Sequence, residues 1–169
     1  MTHYEFTSEK ETRGRTIFET HFKNYPLWQN STFLPSENIY SNYDGIIQFK
    51  SNCSQNIIRE NLNENCSQNI MIEIKCREKP EMEAKNDIWV PKYKVDWIVD
   101  NYQKENCFAF MVVFIEPIKK KMYIINRWNH NEWYSDRNYY YQTKNYPDKT
   151  LTKEICYSYQ KNKLKQMEL

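Results

Sequence analysis

The run CFAFMVVFIEP at 107–117 constrains this chain more than any other segment. It is continuously apolar, rich in β-branched and aromatic side chains, and far shorter than the roughly 20 residues a membrane span needs. Such a run reads as a strand buried on both faces, which requires cover on both sides of its sheet. The KKKMYIINRW that follows supplies a neighbouring strand. Ahead of the run, VPKYKVDWIVDNYQKEN sets Val95, Ile98, Val99 and Tyr102 at helical spacing. With Pro91 accepted in a first turn, this predicts a helix near 91–105.

The front of the chain has its own punctuation. SEKETRGRTIFETHFKN (8–24) reads as a helix in which Ser8 and Glu11 make a capping box and Ile17, Phe18, His21 and Phe22 a face. A polar and aromatic connection through Pro26 and Pro35 leads to NIYSNYDGIIQFK, read as two short strands with Gly45 a bend or bulge between them. IMIEIKCREK (70–79) alternates like a strand, and a charged linker follows over 77–88. The hexapeptide NCSQNI occurs at 52–57 and 65–70; two copies are too few for a solenoid, and the segment reads as a hairpin or loop. The order α-β-β-β-α-β-β predicts a layered α/β or α+β domain with a mixed central sheet over 1–126, and residues 127–169 extend the same domain.

Charge and cysteine usage narrow the setting. The net charge is only +2, yet residues 119–169 hold 11 Lys/Arg against 5 Asp/Glu, leaving 13 against 17 for residues 1–118. A basic, tyrosine-rich tail half of this kind attracts polyanions. The 5 cysteines form no CxxC pair and the 3 histidines are scattered, which predicts reduced thiols, no zinc site and an intracellular location, cytoplasmic or nuclear. MTHYEFTSEKETRGR carries no apolar segment, so neither secretion nor a membrane anchor is expected.

The chemistry concentrates where strands meet. In IMIEIK, Glu73 and Lys75 are two residues apart and so share a face. Pairing DGIIQFK with this strand brings Asp44 beside Glu73. Adjacent carboxylates repel unless something neutralises them, and a divalent cation does so well. A surface salt bridge, with Asp44 as a turn residue, is the competing reading.

YDGIIQFK followed by IMIEIKCRE resembles the PD-(D/E)XK nuclease superfamily, in particular compact Holliday-junction resolvases and small restriction-type endonucleases. Asp44 matches the family's first acid, and Glu73 and Lys75 match its Glu-x-Lys. Tyr43 stands where the family often has proline, and the interval from Asp44 to Glu73 is lengthened by the NCSQNI segment. The resemblance covers residues 8–126 and implies a restriction-endonuclease-like core. It also implies a Mg²⁺- or Mn²⁺-dependent endonuclease acting on nucleic acid, DNA rather than RNA, and leaves a homodimer open. By the same resemblance Asp44, Glu73, the Ile74 carbonyl and a helix glutamate would hold the metal, with Glu19 the choice and Glu11 its rival. Lys75 would orient water. Arg77, Lys79, Lys119, Lys120, Lys121, Arg137 and Lys144 are the candidate nucleic-acid contacts, and the tyrosines of the tail could stack on unpaired bases. Two alternatives stay open: a nuclease-fold subunit that binds or assembles without cutting, and an interaction module with no nucleic-acid role.

Overall fold

The computed structural model describes residues 3–37, 41–49, 68–78, 80–132, 135–142 and 151–169; of 3–11, 81, 82, 132, 135–142 and 151–153 it describes the backbone. Helix α1 (His3–His21) is followed by strand β1 (Ser31–Pro35), then β2 (Gly45–Phe49) and β3 (Asn69–Cys76). After a short helix α2 (Pro80–Glu83) come β4 (Asp87–Pro91), α3 (Lys92–Asn101), β5 (Ala109–Glu116) and β6 (Lys121–Asn126). The tail adds β7 (Ser135–Gln142), β8 (Leu151–Gln160) and β9 (Lys165–Glu168).

The fold is α+β. A mixed six-stranded sheet runs β1-β2-β3-β5-β6-β9, and a second sheet runs β4-β8-β7. The chain climbs antiparallel from β1 to β3, and β3 then pairs parallel with β5 from Ile70↔Ala109 to Cys76↔Ile115. A parallel pair demands a crossover, and here it carries α2, β4 and α3 over one face of the sheet.

β5 is buried along its whole length, as its apolar run predicts. Its odd-numbered residues Ala109, Met111, Val113 and Ile115 join Ile70, Ile72 and Ile74 under the aromatic residues Phe18, Phe22, Trp28 and Phe33. Ring centroids there lie 5.1 Å (Phe18–Phe33) and 5.5 Å (Phe18–Phe22) apart, a geometry worth about 0.5–1.5 kcal/mol per pair beyond area burial. On the opposite face Val112 and Phe114 pack with Ile88, Val90, Val95, Tyr157 and Tyr159, so α3 and the second sheet form the other cover.

Several sequence expectations change. α1 begins at His3, so Ser8 and Glu11 lie inside the helix and do not cap it. The strand before β2 is Ser31–Pro35, within the stretch read as a connection; residues 41–44 are irregular, and 38–40 lie outside the described residues. Gly45 opens β2 and does not divide two strands. The expected linker at 77–88 contains α2 and the start of β4, whose Ile88 and Val90 are buried. Most of the duplicated NCSQNI segment falls outside the described residues. The tail after 126, expected only as an extension of the same domain, contributes a strand to the first sheet, where β9 pairs with β6 from Lys121↔Glu168 to Ile124↔Lys165. Among the described residues no helix is long and apolar enough to cross a membrane.

Lys161 fastens the tail. It pairs with the fully buried Glu116 and donates to the Glu83 carbonyl at 3.0 Å. The Glu83 carboxylate in turn accepts the backbone N–H groups of Ile118 (3.2 Å) and Lys119 (3.0 Å) in the β5–β6 turn. Removing one partner of a buried pair strands the other, at about 3–5 kcal/mol. Lys161→Met should therefore lower stability by that order in denaturant unfolding, and an unchanged midpoint would show that Glu116 needs no counter-charge.

Gly45 is required for a steric reason. A Cβ there would lie 2.4 Å from the Phe33 ring and 2.6 Å from the Leu34 carbonyl oxygen. The second neighbour is backbone and yields only if β1 shifts. Gly45→Ala is expected to destabilise by about 1–3 kcal/mol, and a thermal melt equal to that of the parent chain would contradict the close approach.

Candidate functional site

The register of β2 on β3 sets Gly45 opposite Ile72, so the preceding Asp44 arrives beside Glu73. Two backbone bonds fix it. The Asp44 N–H donates to the Ile72 carbonyl at 2.8 Å, and the Ile74 N–H donates to Asp44 Oδ2 at 2.6 Å. The other carboxylate oxygen, Oδ1, accepts from Nε of Arg15 on α1 at 2.8 Å. Asp44 is buried by these contacts. Tyr43, just before it, stacks on Trp97 of α3 with ring centroids 6.2 Å apart, which ties the entry of β2 to the crossover helix.

The alternation of β3 explains why an acid lies so deep. Ile70, Ile72 and Ile74 face α1, so Met71 and Glu73 must face α3. Glu73 is only 1 % exposed. Its Oε1 sits 2.6 Å from the Lys75 ammonium and 3.0 Å from that of Lys94, while Oε2 is buried without a hydrogen-bond partner. Burial pushes the Glu73 carboxyl above its ordinary value of 4.5 and the Asp44 charge adds to this; Lys75 and Lys94 pull the other way without cancelling it. Burial also works against the Lys94 ammonium, but the charge of Glu73 and the bond to it outweigh burial and raise its pKa. Two carboxylates and three cations thus meet where α1, β2, β3 and α3 converge.

The structure brings Asp44, Glu73 and Lys75 together, with the Ile74 backbone between them. It does not bring Glu19. That residue is exposed on α1, and among the described residues no three His, Cys, Asp or Glu side chains form a group able to hold a metal ion. The side chain of Glu11 lies outside the described residues. Arg15, from the same helix, takes the position facing Asp44.

Arg77 leaves β3 on the Glu73–Lys75 side and lines a cleft with Lys85, Trp89, Phe114 and Cys156 and with the acids Asp87 and Glu154. Lys119, Lys120 and Lys121 lie in and after the β5–β6 turn, at the end of the sheet where β3 also finishes. Of these, Lys119 donates to the Glu83 carbonyl and Lys121 to Gln166 at 3.5 Å, while Lys120 is exposed at φ 53°. Lys79 and Lys144 fall outside the described residues, and Arg137 is placed by its backbone alone in β7, opposite Cys156. The tyrosines at 139–141 are likewise backbone positions of β7, paired with residues 152–154 of β8. The described cysteines 76, 107 and 156 are free thiols, each pushed up to about 11, chiefly by burial.

Arg15 and Lys94 are the two members that sequence reasoning missed. Lys94 had a signal: a helix that crosses between parallel strands must lie over one of them, and Lys94 adjoins the buried Val95 on that helix. Comparison of the chain with protein-family models, with curated proteins and with solved structures finds no match.

Chemically, the cluster presents hard oxygen donors flanked by ammonium groups. A cation taken up by Glu73 competes with a proton there. Because the folded-state pKa of this carboxyl is raised, the proton leaves only at higher pH. If a divalent cation is held there, its affinity, read by calorimetry with Mn²⁺, should therefore begin to fall, as pH is lowered, above the ordinary glutamate value of 4.5. An affinity that stays flat down to pH 4.5 would remove Glu73 from the ligand set.

Proposed function

We propose that the chain is a metal-dependent nuclease of the restriction-endonuclease-like kind, hydrolysing phosphodiester bonds, with DNA favoured over RNA as substrate. The observation that carries this reading is the meeting of Asp44, which immediately precedes β2, with Glu73 and Lys75 of β3, the three residues that the resemblance picks out. The order of elements supports it: a helix, three antiparallel strands, a crossover helix, and a strand parallel to the third. A buried acid with an unpartnered oxygen beside a second acid is costly for stability alone and makes sense as a ligand set.

Mg²⁺ or Mn²⁺ fits this donor set. Asp44 and Glu73 offer carboxylate oxygens, and the Ile74 carbonyl is the backbone donor between them. Held there, such an ion would supply charge to polarise phosphoryl oxygens and to make water a better nucleophile. The chain's own part is positioning and charge. The Ile74 N–H fixes the Asp44 carboxylate against the β3 backbone. Lys75, 15 % exposed, can move its ammonium from Glu73 to the attacking water or to a phosphoryl oxygen. Lys94 faces the same point from the helix side, where its charge opposes the negative charge developing on phosphorus. Arg77, with the lysines of the β5–β6 turn, offers cations to the flanking backbone phosphates.

Purified protein incubated with labelled duplex, branched and single-stranded DNA, and with RNA, is expected to cut in Mg²⁺ and to stop in chelator. Asp44→Asn, Glu73→Ala and Lys75→Ala should each reduce cleavage by about 10²–10³-fold with melting transitions that remain cooperative. Lys94→Ala should reduce it by a smaller factor. Full activity in any of the first three variants, or cutting that ignores the chelator, would sink the assignment.

A further inference from the structure

Arg15 has no task in the chemistry above, yet it makes two hydrogen bonds at the cluster. Its Nε donates to Asp44 Oδ1 at 2.8 Å and its Nη1 to the Ser36 carbonyl at 3.4 Å. A guanidinium carries five N–H donors in one plane. The three that remain have no acceptor among the described residues, and the side chain keeps 19 % of its surface open. The backbone beneath it is held close, since a Cβ on the neighbouring Gly14 would come within 3.1 Å of Cys76 Cβ on β3. Movement at this point therefore belongs to the arginine side chain, not to α1.

The charges give that movement a direction. Arg15, Lys75 and Lys94 outnumber Asp44 and Glu73 by one. The cluster as it stands is short of one negative charge, and its spare donors sit on Arg15. A divalent cation held by the two carboxylates would add two more positive charges beside the guanidinium. At a few ångströms like charges repel strongly at the effective dielectric of a protein surface. Arg15 and the cation are therefore rivals for Asp44 Oδ1. An arginine fork suits one partner better than any other once it is free, an oxyanion with two oxygens to offer.

We propose that Arg15 is a phosphate-binding residue of the site that exchanges partners. It holds Asp44 while the carboxylates lack a cation, yields Asp44 when the cation arrives, and then grips non-bridging oxygens of the substrate phosphate. The proposal rests on the nuclease reading for its phosphate half, whereas its rivalry with the cation can be read without any cleavage.

The chain of 169 residues carrying Arg15→Gln or Arg15→Lys supplies the test. Calorimetry with Mn²⁺ alone is expected to show about tenfold tighter binding in R15Q, because a neutral side chain no longer competes. R15K, which keeps the charge, should stay near the parent value. Anisotropy of labelled duplex and branched DNA, read in chelator and in Mn²⁺ across a salt series, should show weaker binding by R15Q. The log–log salt slope should fall by about one unit, as for one lost phosphate contact. R15K should recover only part of the affinity. Mn²⁺ binding that is unchanged or weaker in R15Q overturns the exchange and makes Arg15 a structural brace. Tighter Mn²⁺ binding with unaltered DNA binding overturns the phosphate role. Should the parent chain bind Mn²⁺ but neither bind nor cut nucleic acid, the nuclease reading and the phosphate role both fall, while the R15Q titration still decides the rivalry.

Discussion

The parallel pairing of β3 with β5 is the constraint on which the rest of the molecule depends. Two parallel strands cannot be joined by a hairpin, so the chain between Cys76 and Ala109 has to pass over a face of the sheet. That passage lays α3 above Met71 and Glu73, which brings Lys94 to Glu73. It also leaves β4 on the same side, and β4 becomes the strand against which β8 pairs. The second sheet and the basic side of the candidate site thus share one topological cause.

Burying Glu73 is tolerable only because Lys75 and Lys94 meet it, and the balance is still unfavourable to its charged form. The contrast with Glu116 is instructive. That acid is buried as deeply, faces one lysine on a returning strand end, and ties the tail to the sheet. Glu73 instead faces two lysines that retain some exposure and a second acid held by backbone. The first arrangement is closed by its own partner; the second is kept reachable from solvent through its cations.

What the sequence made legible follows from range. β5, β6 and α3 announce themselves through local pattern: an unbroken apolar run, its neighbour, and a helical period over Val95, Ile98 and Val99. β1 did not, because STFLP is short, alternates only over Ser31 and Phe33, and ends at a proline. β4 was hidden among charges, with its last residue, Pro91, credited to the helix that follows. Asp44, Glu73 and Lys75 could be read together because register between adjacent strands is a period-two problem. Arg15 could not, since it reaches the cluster from a helix whose docking angle is set by packing far along the chain, and Lys94 shows only through the crossover that a parallel pair demands.

The placement of β8 and β9 bears on the order in which the protein can become itself. Both sheets are completed late: β4 receives β8, and β6 receives β9, from residues 151–168. A chain emerging from the ribosome at about 5–20 residues per second exposes the whole middle of the fold before either partner strand exists. In that interval β4 and β6 present open edges, with Glu116 still lacking Lys161. The layer carrying Lys94 can thus consolidate only after residues 151–168 have been made, so assembly of the cluster is timed by β8 and β9.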